Sequence, residues 1–117
     1  MSAAVSPAGA PGRLVETSGD VRAAALLDAA GGLIAVAGVE GRKAERELAA
    51  LAHTLVVAAD AAAADPTEQI EAQTGIGAVF VARDARHVLA CVTKRLALPS
   101  LVLYDLRQTL RAVGESV

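Results

Sequence analysis

The chain has 117 residues, enough for one domain with a single core, and 54% of them are hydrophobic while only 2% are aromatic. A formal net charge of -2, with eleven Lys and Arg dispersed among thirteen Asp and Glu, excludes the basic stripe of a nucleic-acid binder. One cysteine, Cys91, excludes an intrachain disulfide and a cysteine-based zinc cage, and a reducing, cytoplasmic setting is expected.

The opening MSAAVSPAGAPG has neither a basic segment nor a sustained apolar core and is not read as a secretory signal. Pro7, Gly9, Pro11 and Gly12 predict a disordered tail over 1–12, ahead of a single domain over 13–117. Val21 to Leu27 reads as a strand that turns through DAAGG and returns as Leu33 to Val39, with Gly31 and Gly32 permitting the positive φ of a tight hairpin. Two nearly unbroken apolar runs flank that glycine pair in ALLDAAGGLIAVAG. A hairpin with one wet face alternates, so both faces of this one must be covered.

Gly41 breaks the strand, and a charged turn opens a helix from about Arg42 to Ala64, stopped by Asp65-Pro66. The run Leu48 to Ala64 is at the lower limit of a membrane span, alanine-rich, and interrupted by His53, Thr54 and Asp60. An aspartate near a bilayer centre costs about 2.5–3.5 kcal/mol, so membrane insertion is rejected. TEQIEAQT then alternates, with Ile70 and Ala72 on one face and Thr67, Gln69, Glu71 and Gln73 on the other, which is the pattern of a one-sided or edge strand. Gly75 and Gly77 flank the next turn.

AVFVA at 78–82 and VLACV at 88–92, joined by RDARH, repeat the doubly apolar hairpin. LPSLVLYDLRQTLRAVG closes the chain as a helix, with Leu103, Leu106, Leu110 and Val113 at helical spacing and Arg107, Gln108 and Arg111 opposite. Pro99 and Gly114 stand where a helix begins and ends. The order β-β-α-β-β-β-α, with four strands apolar on both faces, predicts an α/β fold in which a five-stranded antiparallel sheet lies between helices.

A helix covering one sheet needs an apolar stripe and a charged back. Leu48, Leu51, Ala52, Leu55, Ala59 and Ala62 supply the stripe. The back, with Ala49, Ala50, Val56, Val57, Ala58 and Ala61, is short of solvated residues, and the charges crowd into the first turns at Lys43, Glu45, Arg46 and Glu47. Helix propensity accounts for alanines; Val56 and Val57 point to a second copy of the helix. The expected dimer interface is therefore Ala49, Ala50, His53, Val56 and Val57, joined by Ile70 and Ala72 of the edge strand. A polar rim of Glu40, Arg42, Lys43, Arg46 and Glu47 beside an alanine-lined centre has the anatomy of a non-obligate partner surface.

Chemistry finds no cast. His87 and Cys91 lie four residues apart on one strand, about 13 Å at ~3.3 Å per residue, too far for a thiolate dyad. GVEGRKAE at 38–45 opens a helix with glycines and basic residues, yet it lacks the GK[ST] ending of a phosphate loop and follows an antiparallel hairpin. His53 has no Asp or Glu three or four residues away to make a ligand pair, and Asp28 and Asp105 have no convergent carboxylate. No catalytic residue, metal or cofactor is assigned.

Together DVRAAALLDAAGGLIAVAG, ERELAALAHTLVVAADA, IGAVFVARDARHVLACVT and LVLYDLRQTLRAV make the chain resemble a roadblock/dynein-light-chain domain over about residues 19–114. The resemblance implies a non-enzymatic homodimer whose sheets join edge to edge while the long helices pair. It further implies a scaffold or regulator that binds a small Ras-like GTPase or its signalling partners, as the bacterial gliding-motility members do. Many members begin with a full helix, whereas only GRLVETS follows the expected tail here. The rival reading is a small-ligand sensor of PAS-like layout, which an Ala/Val core with two aromatics disfavours.

Overall fold

The computed structural model describes residues 5–63, 68–73, 77–94 and 97–115. Five strands, β1 (Val21–Asp28), β2 (Leu33–Ala37), β3 (Gln69–Gln73), β4 (Ala78–Arg83) and β5 (His87–Thr93), form one antiparallel sheet in the order β2-β1-β5-β4-β3. Helix α2 (Arg42–Ala62) covers one face, and α1 (Ala10–Thr17) and α3 (Pro99–Glu115) cover the other. The expected order of strands and helices from Val21 onward is the one observed. The helix stop at Asp65-Pro66 and the glycine at 75 lie outside the described residues.

Alternation along doubly apolar strands sorts the core into two layers. Ala23, Ala25 and Leu27 of β1 face α2 together with Val79, Val81, Val88 and Ala90. Their neighbours Ala24 and Leu26 face α1 and α3 with Phe80, Ala82, Leu89 and Cys91. Both hairpins are tied by an aspartate at the end of the first strand. Asp28 Oδ1 accepts from the backbone N–H of Ala30 at 2.9 Å and of Gly32 at 2.8 Å. Asp84 Oδ1 accepts from Arg86 N at 2.9 Å and His87 N at 2.8 Å.

Two expectations need correction. The segment 1–12, read as a tail, holds a short 3-10 turn (Pro7–Gly9) and the start of α1, while its first four residues lie outside the described part. Proline at a helix's first positions costs no hydrogen bond, and Val5, Ala10 and Leu14 supply buried apolar anchors that a Pro/Gly count does not weigh. The helix before β1, which the sequence leaves undecided, is present in short form, and Ser18 Oγ at its end donates to Asp105 Oδ2 of α3 at 2.7 Å. Second, β2 is apolar on both faces but not buried on both, since as an edge strand it leaves Leu33 and Ile34 each 39% exposed.

Chain direction between β2 and α2 is reversed through Gly38 at φ 83° and Gly41 at φ 86°. A Cβ on Gly38 would sit 2.1 Å from the backbone oxygen of Arg22, which cannot swing aside. Gly38→Ala therefore combines left-handed strain with a backbone clash and is expected to cost about 2–4 kcal/mol. Gly12, inside α1, has open space around the same position, and Gly12→Ala is expected to stabilise by about 0.5–1 kcal/mol. Urea denaturation of the two variants checks the contrast.

Cys91 is fully buried opposite Ala24 and Phe80, and burial pushes its thiol up to about 12 from 9.0, with Asp105 adding to the shift. The unfolded thiol ionises first, so its contribution to stability is intact below pH 9 and declines as the pH rises toward 12. The difference in unfolding free energy between wild type and Cys91→Ala should shrink across that range, by up to about 1.4 kcal/mol per pH unit. A constant difference from pH 8 to 11 would contradict this.

Candidate functional site

Helix α2 places the surface in question. Its buried residues are Leu48, Ala49, Ala52 and Val56, with Leu55 packed partly against the same layer. Ala49 and Val56, assigned to a dimer interface from sequence, therefore belong to the chain's own core, and Leu51, assigned to the core, is 40% exposed. The phase differs because alanine dilutes the hydrophobic signal around the whole helix, while Ala49 and Ala52 let this side approach the sheet closely. Ala50 and Val57 do stand on the outer side, and Val57 is 54% exposed.

His53 is exposed yet lies against the β1–β2 turn, where a Cβ on Gly31 would meet its Nδ1 at 2.5 Å. It occupies the flank of α2 beside that turn.

All five residues of the polar rim, Glu40, Arg42, Lys43, Arg46 and Glu47, are exposed. At 3.6 residues per turn, Lys43, Arg46, Glu47, Ala50, Val57 and Ala61 share the outward side of α2, so the rim runs straight into the apolar patch. Gly41 caps the helix without a side-chain bond, and Glu45 is the acidic residue of the first turn. Arg42 and Lys43 stand where the helix dipole favours anions, so helix stability does not account for them.

On the edge strand β3, Ile70 and Ala72 are half-buried opposite Val81 and Val79, on the α2 side of the sheet. Gln69, Glu71 and Gln73 lie on the α3 side, opposite Ala82, Phe80 and Ala78. With its amide oriented to satisfy its neighbour, Gln69 accepts from Arg107 Nη1 at 2.8 Å, which ties α3 to this edge. Sequence reading also missed the Arg83–Asp60 ion pair between β4 and α2. Their 23-residue separation leaves no local pattern to detect.

Chemistry-bearing residues are engaged elsewhere. Asp28 and Asp105 accept the turn and α1 hydrogen bonds already described. His87 and Cys91 remain four residues apart on β5. Among the described residues, His87 Nδ1 is buried without a hydrogen-bond partner, and no group of three or more His, Cys, Asp and Glu is placed to hold a metal ion. A solvent-open cleft of about 560 Å³ at the hairpin end is lined by Asp60, Glu68, Arg83, Asp84 and Val88 among others. No described helix is long and apolar enough to cross a membrane.

No protein-family model and no curated protein matches the chain by sequence. Solved structures do. A roadblock/LC7 domain from Streptomyces avermitilis superposes with a TM-score of 0.84 at 19% identity, covering 96% of this chain and 98% of that one. MglB of Myxococcus xanthus gives 0.70 at 18% identity over 90% and 91%. Profilin II of Acanthamoeba castellanii gives 0.66 at 16% identity over 96% and 100%, so the layout is shared beyond the roadblock group. The chain has the roadblock/profilin-like fold, a five-stranded antiparallel sheet between helices in the order β-β-α-β-β-β-α.

Proposed function

We propose that the chain is a non-enzymatic, cytoplasmic, homodimeric scaffold or regulator that binds a small Ras-like GTPase or its signalling partners. The observation that carries this reading is the outward side of α2, where an apolar patch continues into a charged rim. The likeness to a roadblock/LC7 domain and to MglB supports the class of partner. A PAS-like sensor requires an enclosed, mostly apolar pocket. The cleft at the hairpin end is open and lined by three carboxylates and an arginine, which favours the scaffold.

On this reading the apolar part of the α2 surface joins two copies and the rim receives the partner. Ala50 and Val57 on α2, together with Ile70 and Ala72 on β3, remain the proposed dimer contacts. Val57→Lys adds a charge to a side chain already 54% exposed, so the monomer should fold normally while the dimer weakens at least about tenfold. Gln108→Lys on exposed α3 serves as the control, with dimer dissociation followed by light scattering on dilution. Equal dissociation of the two variants would remove α2 from the interface.

The rim is tested separately by reversing Arg42, Lys43 and Arg46 to Glu. Partners captured from the source lysate in GTP or GDP should associate about tenfold more slowly with the triple variant, with an altered salt dependence and an intact dimer. Unchanged kinetics would move the partner surface away from the start of α2.

A further inference from the structure

Helix α3 is buried along Val102, Leu106, Leu110 and Val113 and turns its opposite side outward. Leu101, Tyr104, Gln108 and Arg111 recur there at i, i+3, i+7 and i+10, and Leu98, whose carbonyl accepts from Val102 N–H at 3.1 Å, extends the row past Pro99. Leu98, Leu101 and Tyr104 are each more than half exposed, a density of large apolar side chains found on no other outward face among the described residues. The row then changes character. Arg107 and Arg111 stand one turn apart beside a cleft of about 300 Å³ that also takes in Arg83, Asp84 and Leu110, and Arg86 of the β4–β5 turn borders the same end of the helix with Gly114.

Nearby acids are committed to other tasks. Asp105 accepts from Ser18, Asp84 Oδ1 is taken by the backbone of its own turn, and Asp60 pairs with Arg83. Arg107 bonds the neutral amide of Gln69, which leaves its charge in place. Neither Arg107 nor Arg111 lies in the last turn of α3, so the helix dipole does not account for them. In a chain of net charge -2 this is a local cationic surface, and it continues an apolar one end to end.

The geometry points to α3 as the docking face for a helical segment of a partner protein, acidic in its first turns and apolar in those that follow, lying antiparallel along α3. Carboxylates of that segment meet Arg107 and Arg111, which as i, i+4 neighbours stand about 5–6 Å apart at their Cβ atoms, in charge-assisted hydrogen bonds. Its apolar side chains cover Tyr104, Leu101 and Leu98. Acidic residues favour the first turn of a helix, and this sets the antiparallel direction. From Leu98 to Arg111 the row is about 20 Å long at 1.5 Å per residue, which a partner helix of about 14 residues matches. An extended peptide finds no ladder here, because α3 packs on β4 and β5, which are internal strands, whereas a helix brings its own backbone bonds. A helix made for a membrane surface carries its apolar face along its whole length with basic residues beside it, not beyond its end. The face lies across the sheet from α2, so its occupant does not compete with the rim of α2.

Selection of random 16-residue peptides displayed on phage against the full chain tests this face, with a Tyr104→Ser, Arg111→Glu double variant used to discard binders of other surfaces. The selected peptides should carry Asp or Glu in their first turns and Leu, Ile or Phe in the later ones. Synthetic copies should bind wild type about tenfold more tightly than Tyr104→Ser or Arg111→Glu, both substitutions at exposed positions that leave the core intact. Exchanging the acidic residues of the peptide for Lys should reverse its preference, toward Arg111→Glu and away from wild type. Peptides without an acidic turn, peptides with the apolar end first, or no binder that distinguishes the double variant overturn the proposal. Sedimentation of wild type but not Arg111→Glu with phosphatidylserine vesicles gives the face to a membrane instead. An oligomer that Tyr104→Ser dissociates in light scattering gives it to a second copy, and either result overturns the proposal while leaving the α2 surface untouched.

Discussion

A sheet whose central strands are apolar on both faces cannot stand in water on either, and that constraint organises the rest of the molecule. Strands β1, β4 and β5 carry alanine, valine, leucine and one phenylalanine without a polar face, so each side needs its own roof. Helix α2 supplies one, and α3 supplies most of the other. The remaining gap is over β1 and β2, and α1 fills it with Ala10 and Leu14 although only eight residues long. The hydrogen bond from Ser18 to Asp105 and the backbone contact from Val5 to Ala112 fasten this short roof to α3.

Small side chains allow the layers to close. Ala49 and Ala52 of α2 share one buried layer with Ala23, Ala25 and Ala90, where Leu48 and Val56 add the bulkier side chains from the helix. Close-packed interiors leave few voids, which accords with the open cleft at the hairpin end. It also explains why the one thiol serves as a small apolar filler. Cys91 sits among Phe80, Ala24 and the α3 side chains, where a thiolate would be desolvated and its nucleophilic chemistry is unavailable.

Legibility in the sequence followed from how strongly each element's burial is polarised. The doubly apolar hairpins and the alternating β3 were readable because a strand's period of two leaves no ambiguity about its faces. The phase of α2 was not. Valine and alanine occur around its whole circumference, so Leu51 and Val56 exchanged roles, and only the sheet beneath decides which side is down. The first helix was hidden for a different reason: Pro7, Gly9, Pro11 and Gly12 weaken any local signal, while the residues that hold it, Asp105 and Ala112, are about a hundred positions away. The charged rim was visible in the sequence because its five residues fall within the eight positions 40–47, and such clustering is a local property.

Two edges remain after the faces are roofed, and they differ in kind. Edge β2 carries Leu33 and Ile34 half out of the core, but the turn to α2 and the close approach of Gly38 to Arg22 shape the chain beside it. Edge β3 is short, alternates, and ends its polar side in a charge at the central residue, which discourages indiscriminate strand addition. A partner that accepts this edge must bring a matching apolar row on one face and tolerate the carboxylate on the other. The α2 surface adds a second condition, because Val57 and Ala50 lie above the same face that Ile70 and Ala72 extend. Satisfying strand and helix together needs two surfaces in a fixed relation, and on the homodimer reading proposed above a second copy of the chain would bring both in that relation by symmetry.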